Sequence, residues 1–361
     1  MSSLIREPIV ILNSFQYLRG IAILIIVIAH MVPRVYPRSF SVEESAAYNL
    51  FQGGTTPFVF LSGFILIHVF LPRFASGRLS YGAFMRDKIE NIWLPYLILA
   101  LPFLLLTASQ NNLVTSYLGH AFGTGDFVQN TKDTLWLLYT GRHVFAHWYV
   151  TFAIFLFALT PLYVVYSRAR PTVRALILGL AFIMSLCLHK PMWDVSKLHA
   201  LLYFSSVYMI GIETALNWDR IAPRLQRNVW TLFVLWLMLI GLQMSFGYHG
   251  TQFRTLSLSY AGPDLMLLQK LVLTFALLAL FERLKHKNLP VLTSLAENSF
   301  GIFLLHPIVY YILMQSGLLP RSGVLALDVT IWATMVMTGC YAAIATAKLS
   351  FPKYSRKIVG V

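Results

Sequence analysis

Ten stretches of this 361-residue chain are apolar for long enough to cross a bilayer, and that feature leaves few folds open. A hydrocarbon core takes roughly 20 apolar residues per helix. The segments are 13–33, 49–71, 91–108, 147–166, 173–189, 198–216, 229–247, 265–282, 299–319 and 323–347. A soluble domain of this size needs a polar surface, and a chain 57% hydrophobic and 12% charged cannot supply one. The expected fold is all-α: a polytopic transmembrane helical bundle of about ten spans. Residues 1–361 then form one integral-membrane domain with no separate soluble domain. The fifth segment is short, and "SLCLHKP" marks an irregular end. Aromatic rings cluster at segment ends, as in "NIWLPYL" and "HWYVTF", where they suit the membrane interface.

The net charge of +14 is not gathered into a basic run dense enough for nucleic acid. It fits Lys and Arg in cytoplasmic loops beside anionic lipid instead. With the N-terminus inside, the inner segments, Arg6 included, hold 18 of the 28 Lys and Arg residues and the outer loops hold 8. The excess places both termini in the cytoplasm. Arg19 interrupts the first apolar segment, and "MVPRVYPR" follows it with no small-residue cleavage site. It therefore reads as a retained span and not as a secretory signal. The longest connection, 109–146, falls outside, and Leu135, Trp136, Leu138 and Tyr139 could share one face of an interfacial helix over 134–140. Cys187 and Cys340 sit in apolar segments without metal-ligand spacing, and no metal site is expected.

Two polar residues interrupt "YLRGIAILIIVIAHMVP". Arg19 and His30 are eleven residues apart, close to three helical turns, so both point to nearly one side and differ by roughly 16 Å in height. Ionisable groups in spans usually face the protein interior or a wet cavity. Spacing alone does not separate a functional pair from two groups that snorkel or bond between helices.

Further segments carry a resemblance. "YLRGIAILIIVIAH" resembles the opening of the integral-membrane acyltransferase 3 family, with its Arg-x10-His signature in the first helix. "TTPFVFLSGFIL" is similar to the family's second-helix Phe-x-Leu-Ser-Gly-Phe segment, and "FMRDKIENIWLPYL" to its basic cytoplasmic stretch ending in Pro-Tyr. "HWYV" resembles its His/Trp-aromatic opening of a later helix, and "NSFGIFLLHP" its penultimate Ser-x-Gly-Ile-aromatic-Leu-x-His-Pro segment. The five occur in the family's order over nearly the whole chain. The resemblance implies transfer of an acyl group, often acetyl, from acyl-CoA to a hydroxyl. The acceptor is commonly a sugar of a surface or secreted glycan.

A hydroxyl attacking a thioester must lose its proton, and imidazole suits that task near neutral pH. His30 is the expected general base. Arginine holds phosphate through a bidentate fork, so Arg19, Arg86 and Lys88 are the expected acyl-CoA-binding residues. Ordinary positive-inside topology accounts for Arg86 and Lys88 equally well. The chain departs from the family where a second basic residue often precedes the Pro-Tyr pair: Asn91 stands there. His147, Trp148 and His306 are candidates for the acceptor site or cavity, with aromatic anchoring the plain alternative for the first two. Ser62 lacks a nucleophile elbow, and with Gly63 it reads as a small residue for helix packing. Glu297 could pair with a base in 283–287. His68, His189, His199 and His249 read as structural.

The expected function is thus a membrane O-acyltransferase of the bacterial cytoplasmic (inner) membrane. It would use acyl-CoA, first of all acetyl-CoA, as donor substrate, with no permanently bound cofactor. Its partners would be a glycan or other hydroxyl acceptor, membrane lipid and glycan-synthesis machinery. The rival is a transporter or flippase of a glycan intermediate, with Arg19 and His30 as coupling groups. The lack of a clear internal repeat weighs slightly against it.

Overall fold

A computed structural model of the chain describes residues 12–35, 41–107, 118–192 and 196–361. Arg6 and Arg38, both counted in the charge balance above, lie outside the described residues, as do 109–117 of the long connection. The described residues are mostly helical, with no strand among them beyond an isolated bridge, Pro191 to Arg254, that ties two loops together. Apolar side chains favour this outcome in lipid, because a helix satisfies its own backbone.

The helices are α1 (Asn13–Val35), α2 (Val42–Phe51), α3 (Thr55–Ile65, continuing through a π-type turn at Leu66–Phe70 to Ala75), α4 (Tyr81–Lys88) and α5 (Leu94–Thr107). They continue with α6 (Phe127–Thr140), α7 (Trp148–Ala158), α8 (Thr160–Arg168), α9 (Pro171–Leu188), α10 (Lys197–Leu216), α11 (Trp218–Arg227) and α12 (Val229–Ser245). The last are α13 (Leu265–Leu284), α14 (Pro290–Glu297), α15 (Ser299–Gln315), α16 (Leu325–Ser350) and α17 (Ser355–Val359). Each of the ten apolar segments is helical, but fewer are long and apolar enough to count as membrane spans by themselves. Five qualify, and seven do if two bent pairs are each one span. The pairs bend by 51° between α7 and α8 and by 77° between α11 and α12. Pro161 at the start of α8 removes a backbone donor at the first bend. α15 is too short on this measure, and α4 runs into α5 without a break through a second π-type turn at Ile89–Trp93.

The helix expected over 134–140 is longer than that, since Asp126 caps it at the start and Gly141, in the left-handed region, ends it. The four named apolar residues divide: Leu138 is buried, whereas Leu135 and Tyr139 are exposed.

The bundle has a near end, where α1 begins, and a far end, where α1 finishes. Two apolar clusters fill it. One gathers α3, α10 and α13, and the other gathers α1, α15 and α16. The break between α2 and α3 leaves helix-end carbonyls inside the bundle, at Gly53 with its φ of +80°. Lys270 of α13, wholly buried, donates from Nζ to the carbonyls of Asn49 (3.1 Å) and Leu50 (2.8 Å) and closes that end.

α3 and α10 touch backbone to backbone. A Cβ at Gly63 would lie 2.0 Å from the Tyr208 carbonyl oxygen, and one at Gly211 would lie 2.1 Å from that of Phe60. Small residues permit such approaches in membrane bundles. Gly63→Val is therefore expected to destabilise the fold by about 1–3 kcal/mol or more. The check is thermal unfolding of the detergent-solubilised protein, and an unchanged midpoint would remove the packing argument.

Candidate active site

The site forms where α1 meets α15. These two helices carry the first and last of the sequence segments singled out above, and polar contacts join them at two depths. Nearer the start of α1, Arg19 Nε donates to Ser299 Oγ at 2.6 Å. Further along, His30 Nδ1 lies 3.1 Å from His306 Nε2, with the rings stacked at 19°. The eleven-residue spacing thus does put both side chains on one side of α1.

The proton positions at the second contact follow from chemistry. His306 Nδ1 is 3.1 Å from the Ile302 carbonyl, which can only accept, so Nδ1 carries the hydrogen. In neutral His306, Nε2 is then an acceptor, and the donor facing it is His30 Nδ1–H. His30 Nε2 is left with a lone pair, and no protein donor meets it among the described residues. Pro307 supports this arrangement. Lacking an N–H, it leaves the Phe303 carbonyl without its helical donor, and that carbonyl also lies within reach of His306.

Around His30, Arg34 donates from Nη1 to the His30 carbonyl (2.6 Å), and its guanidinium lies 3.6 Å over the Phe145 ring. Phe145 in turn packs against His30 and His306. His147 is fully buried and does not reach a mouth: its Nε2 donates to the Leu304 carbonyl at 3.0 Å, and Nδ1 faces His143 at 3.2 Å. It pins α7 to α15. Trp148 is half-buried, and the Lys190 ammonium sits 4.9 Å over its ring. Burial lowers the Lys190 pKa to about 8, with Asp264 opposing the shift.

Below this level a cavity of ≈ 580 Å³ opens from the near end. That is within the range of small-molecule sites. Tyr149 and Phe303 line its inner part, Arg19 and Ser299 its side, and Asp87, Lys88, Asn91, Glu297 and Arg356 its outer part. His30 and His306 do not line it. Phe303 stands between, its ring 5.9 Å from that of His306. Arg86 is exposed and also absent from the lining. Lys88 points the other way, 3.1 Å from Asp87 Oδ2 and 4.7 Å over Phe70. Burial lowers the Lys88 pKa; Asp87 opposes this, and Arg356 adds to it. Asn91 donates to the Asp87 carboxylate at 2.9 Å, so it positions an acid.

Arg19 is the cation with most to offer a ligand. Its only protein partner among the described residues is Ser299, which takes Nε and leaves both Nη groups. Ser62 lines the cavity, but its hydroxyl donates to the Phe58 carbonyl at 2.8 Å and has no histidine on it. Glu297 is exposed and has no partner in 283–287; the acid that pairs there is Glu282, 2.6 Å from Lys285. Among the described residues, no group of three or more His, Cys, Asp or Glu could hold a metal ion.

Sequence reasoning missed Ser299, Arg34, His143, Lys190 and Arg356. Ser299 was within reach, seven residues before His306 in the same segment. Arg34 and His143 were within reach as well, each four residues from a histidine already singled out; Lys190 and Arg356 are brought in by tertiary contacts alone.

Long apolar helices around a cavity whose mostly apolar lining carries a few charged side chains define an integral-membrane protein with an internal site. Residues 12–347 match the family model described as an acyltransferase domain, that of the acyltransferase 3 proteins, and the chain belongs to this family. No curated protein and no solved structure matches it.

Proposed function

We propose that the chain is a membrane O-acyltransferase that moves an acyl group, acetyl first, from cytosolic acyl-CoA to a sugar hydroxyl. The sugar belongs to a surface or secreted glycan or to its lipid-linked precursor. Ten spans of the bacterial inner membrane hold the site, with the near end and both termini in the cytoplasm. The excess of positive charge in the near-end segments supports that orientation.

One observation carries the reading. The order Ile302 carbonyl, His306, His30 presents the His30 Nε2 lone pair as a base. The acceptor hydroxyl gives its proton to Nε2 as its oxygen attacks the thioester carbonyl. The tetrahedral intermediate collapses, the carbon–sulfur bond breaks, and the departing thiolate takes the proton back from His30. The products are an O-acyl ester and CoA. Ser62 is bonded away from any base, which favours direct transfer over an acyl-enzyme. The donor enters the cavity from the near end with its phosphates on Arg19 and Lys88. The acceptor approaches from the far end, on the side of His30 where Trp148 lies under the Lys190 ammonium.

Purified protein incubated with labelled acetyl-CoA and candidate glycans tests the reading: label in the glycan supports it, and glycan transport without label points to the flippase. His306 is a positioning residue in this scheme. His306→Ala is expected to lower kcat roughly 100-fold, the lower end of what acid–base catalysis contributes, with donor KM unchanged and the pH profile of kcat altered. His306→Gln, which can still accept from His30, should recover part of the loss. Equal damage from both variants would leave His306 a packing role only.

A further inference from the structure

The near-end cavity has a wall that the motifs do not supply. α17 folds back across its opening and packs against α5, α15 and α16. The fit is close: a Cβ at Gly301 would lie 2.9 Å from the Val359 carbonyl oxygen. Arg356 and Gly360 of this segment line the cavity beside Lys88 and Asn91.

Arg19, Lys88 and Arg356 therefore face one space. Asp87 answers Lys88. Arg356 has no protein partner among the described residues, and its field is felt at Lys88. Two like charges that line one cavity are relieved by an anion between them. The order of the cations is informative too. Arg19 and Ser299 sit on α1 and α15, alongside the route to Phe303, whereas Arg356 is exposed at the opening. CoA is a linear molecule: thiol, pantetheine arm, pyrophosphate, then adenosine with its 3′-phosphate. A thioester directed inward leaves the nucleotide end at the opening.

We infer that Arg356 binds the 3′-phosphate of the CoA donor, so that α17 supplies the cation that Asn91 does not. This rests on the reading of the cavity as the acyl-CoA site. Arg356 contributes donor affinity and discrimination between CoA and its dephosphorylated form, and it plays no part in the chemical step.

The test is equilibrium binding of CoA and of 3′-dephospho-CoA to the purified full-length protein by calorimetry. The parent should bind CoA roughly tenfold or more tightly than 3′-dephospho-CoA, the scale of one charge-assisted contact. Arg356→Gln should lose that preference, weakening CoA to the level of the dephosphorylated form and leaving the latter unchanged. Lys357→Gln is the control. It removes the same charge from the same helix, but Lys357 points to Glu90 at 3.2 Å and does not line the cavity, so both ligands should bind as in the parent. A parent that binds CoA while Arg356→Gln keeps the preference overturns the assignment and leaves the donor reading intact. A parent that binds neither ligand overturns both.

Discussion

Replacing His30 by alanine is expected to lower the rate of acyl transfer about 10²- to 10⁴-fold, the range for removal of a general base. Donor affinity should stay near that of the parent, because His30 does not line the cavity and lies beyond Phe303. The split between the two readouts is what makes the experiment specific. A variant that merely disturbed packing would weaken binding as well as rate. His30 sits at the junction of α1, Phe145 and α15, so thermal unfolding of the variant should be measured beside its activity. A folded variant that transfers label as fast as the parent removes His30 from the chemistry. The lone pair on His30 Nε2 makes a second measurement informative. His30→Gln can still donate to His306, but it brings no basic nitrogen. It should therefore be as slow as the alanine variant, even with the contact to α15 preserved.

How far the sequence could lead depended on whether a contact was local. Helical arithmetic put Arg19 and His30 on one side of α1, and both do meet α15. The same arithmetic could not name the partners, since Ser299 and His306 lie 280 and 276 residues further on. Hydropathy located every long helix but not its bends, because α7 with α8 and α11 with α12 are continuous in composition and broken in geometry. Composition equally could not separate Arg86 from Lys88. They are two residues apart on α4, roughly 200° around a helix, so one faces the cavity and the other is exposed. Only the packing of α4 decides which. His147 shows the opposite failure. A histidine beside a tryptophan at a helix start suggested a mouth, but its ring is spent on the Leu304 carbonyl.

Arg356 marks the limit most clearly. Nothing in "PKYSRKIVG" distinguishes one basic residue from the next. Lys357 pairs with Glu90 and Arg356 faces the cavity because α17 is seated in one rotation against α15. Asn91 read alone suggested a weakened phosphate site. In the folded chain it holds Asp87, which in turn holds Lys88, so the residue that departs from the family's pattern organises the cation that remains.

Arg19→Ala should have the largest effect on donor binding. Truncating one member of a buried, hydrogen-bonded charge pair typically costs roughly 2–5 kcal/mol, about 30-fold or more in affinity. The upper part of that range is expected here, since the guanidinium is held by Ser299 through Nε alone and both Nη groups remain for a phosphate. Arg19→Lys separates charge from geometry. A lysine keeps the positive charge but offers no planar fork and cannot hold Ser299 while meeting a phosphate in bidentate fashion. Its affinity should fall between those of the parent and the alanine variant. Ser299→Ala leaves Arg19 in place without its anchor, and a smaller loss is expected, through orientation alone. Measured by CoA binding at fixed ionic strength, the order should be parent, Ser299→Ala, Arg19→Lys, Arg19→Ala. If Arg19→Ala binds CoA as the parent does while transfer fails, Arg19 acts on the reacting carbonyl and not on the phosphates. The two ends of the Arg19–His30 side of α1 would then share one task in place of two.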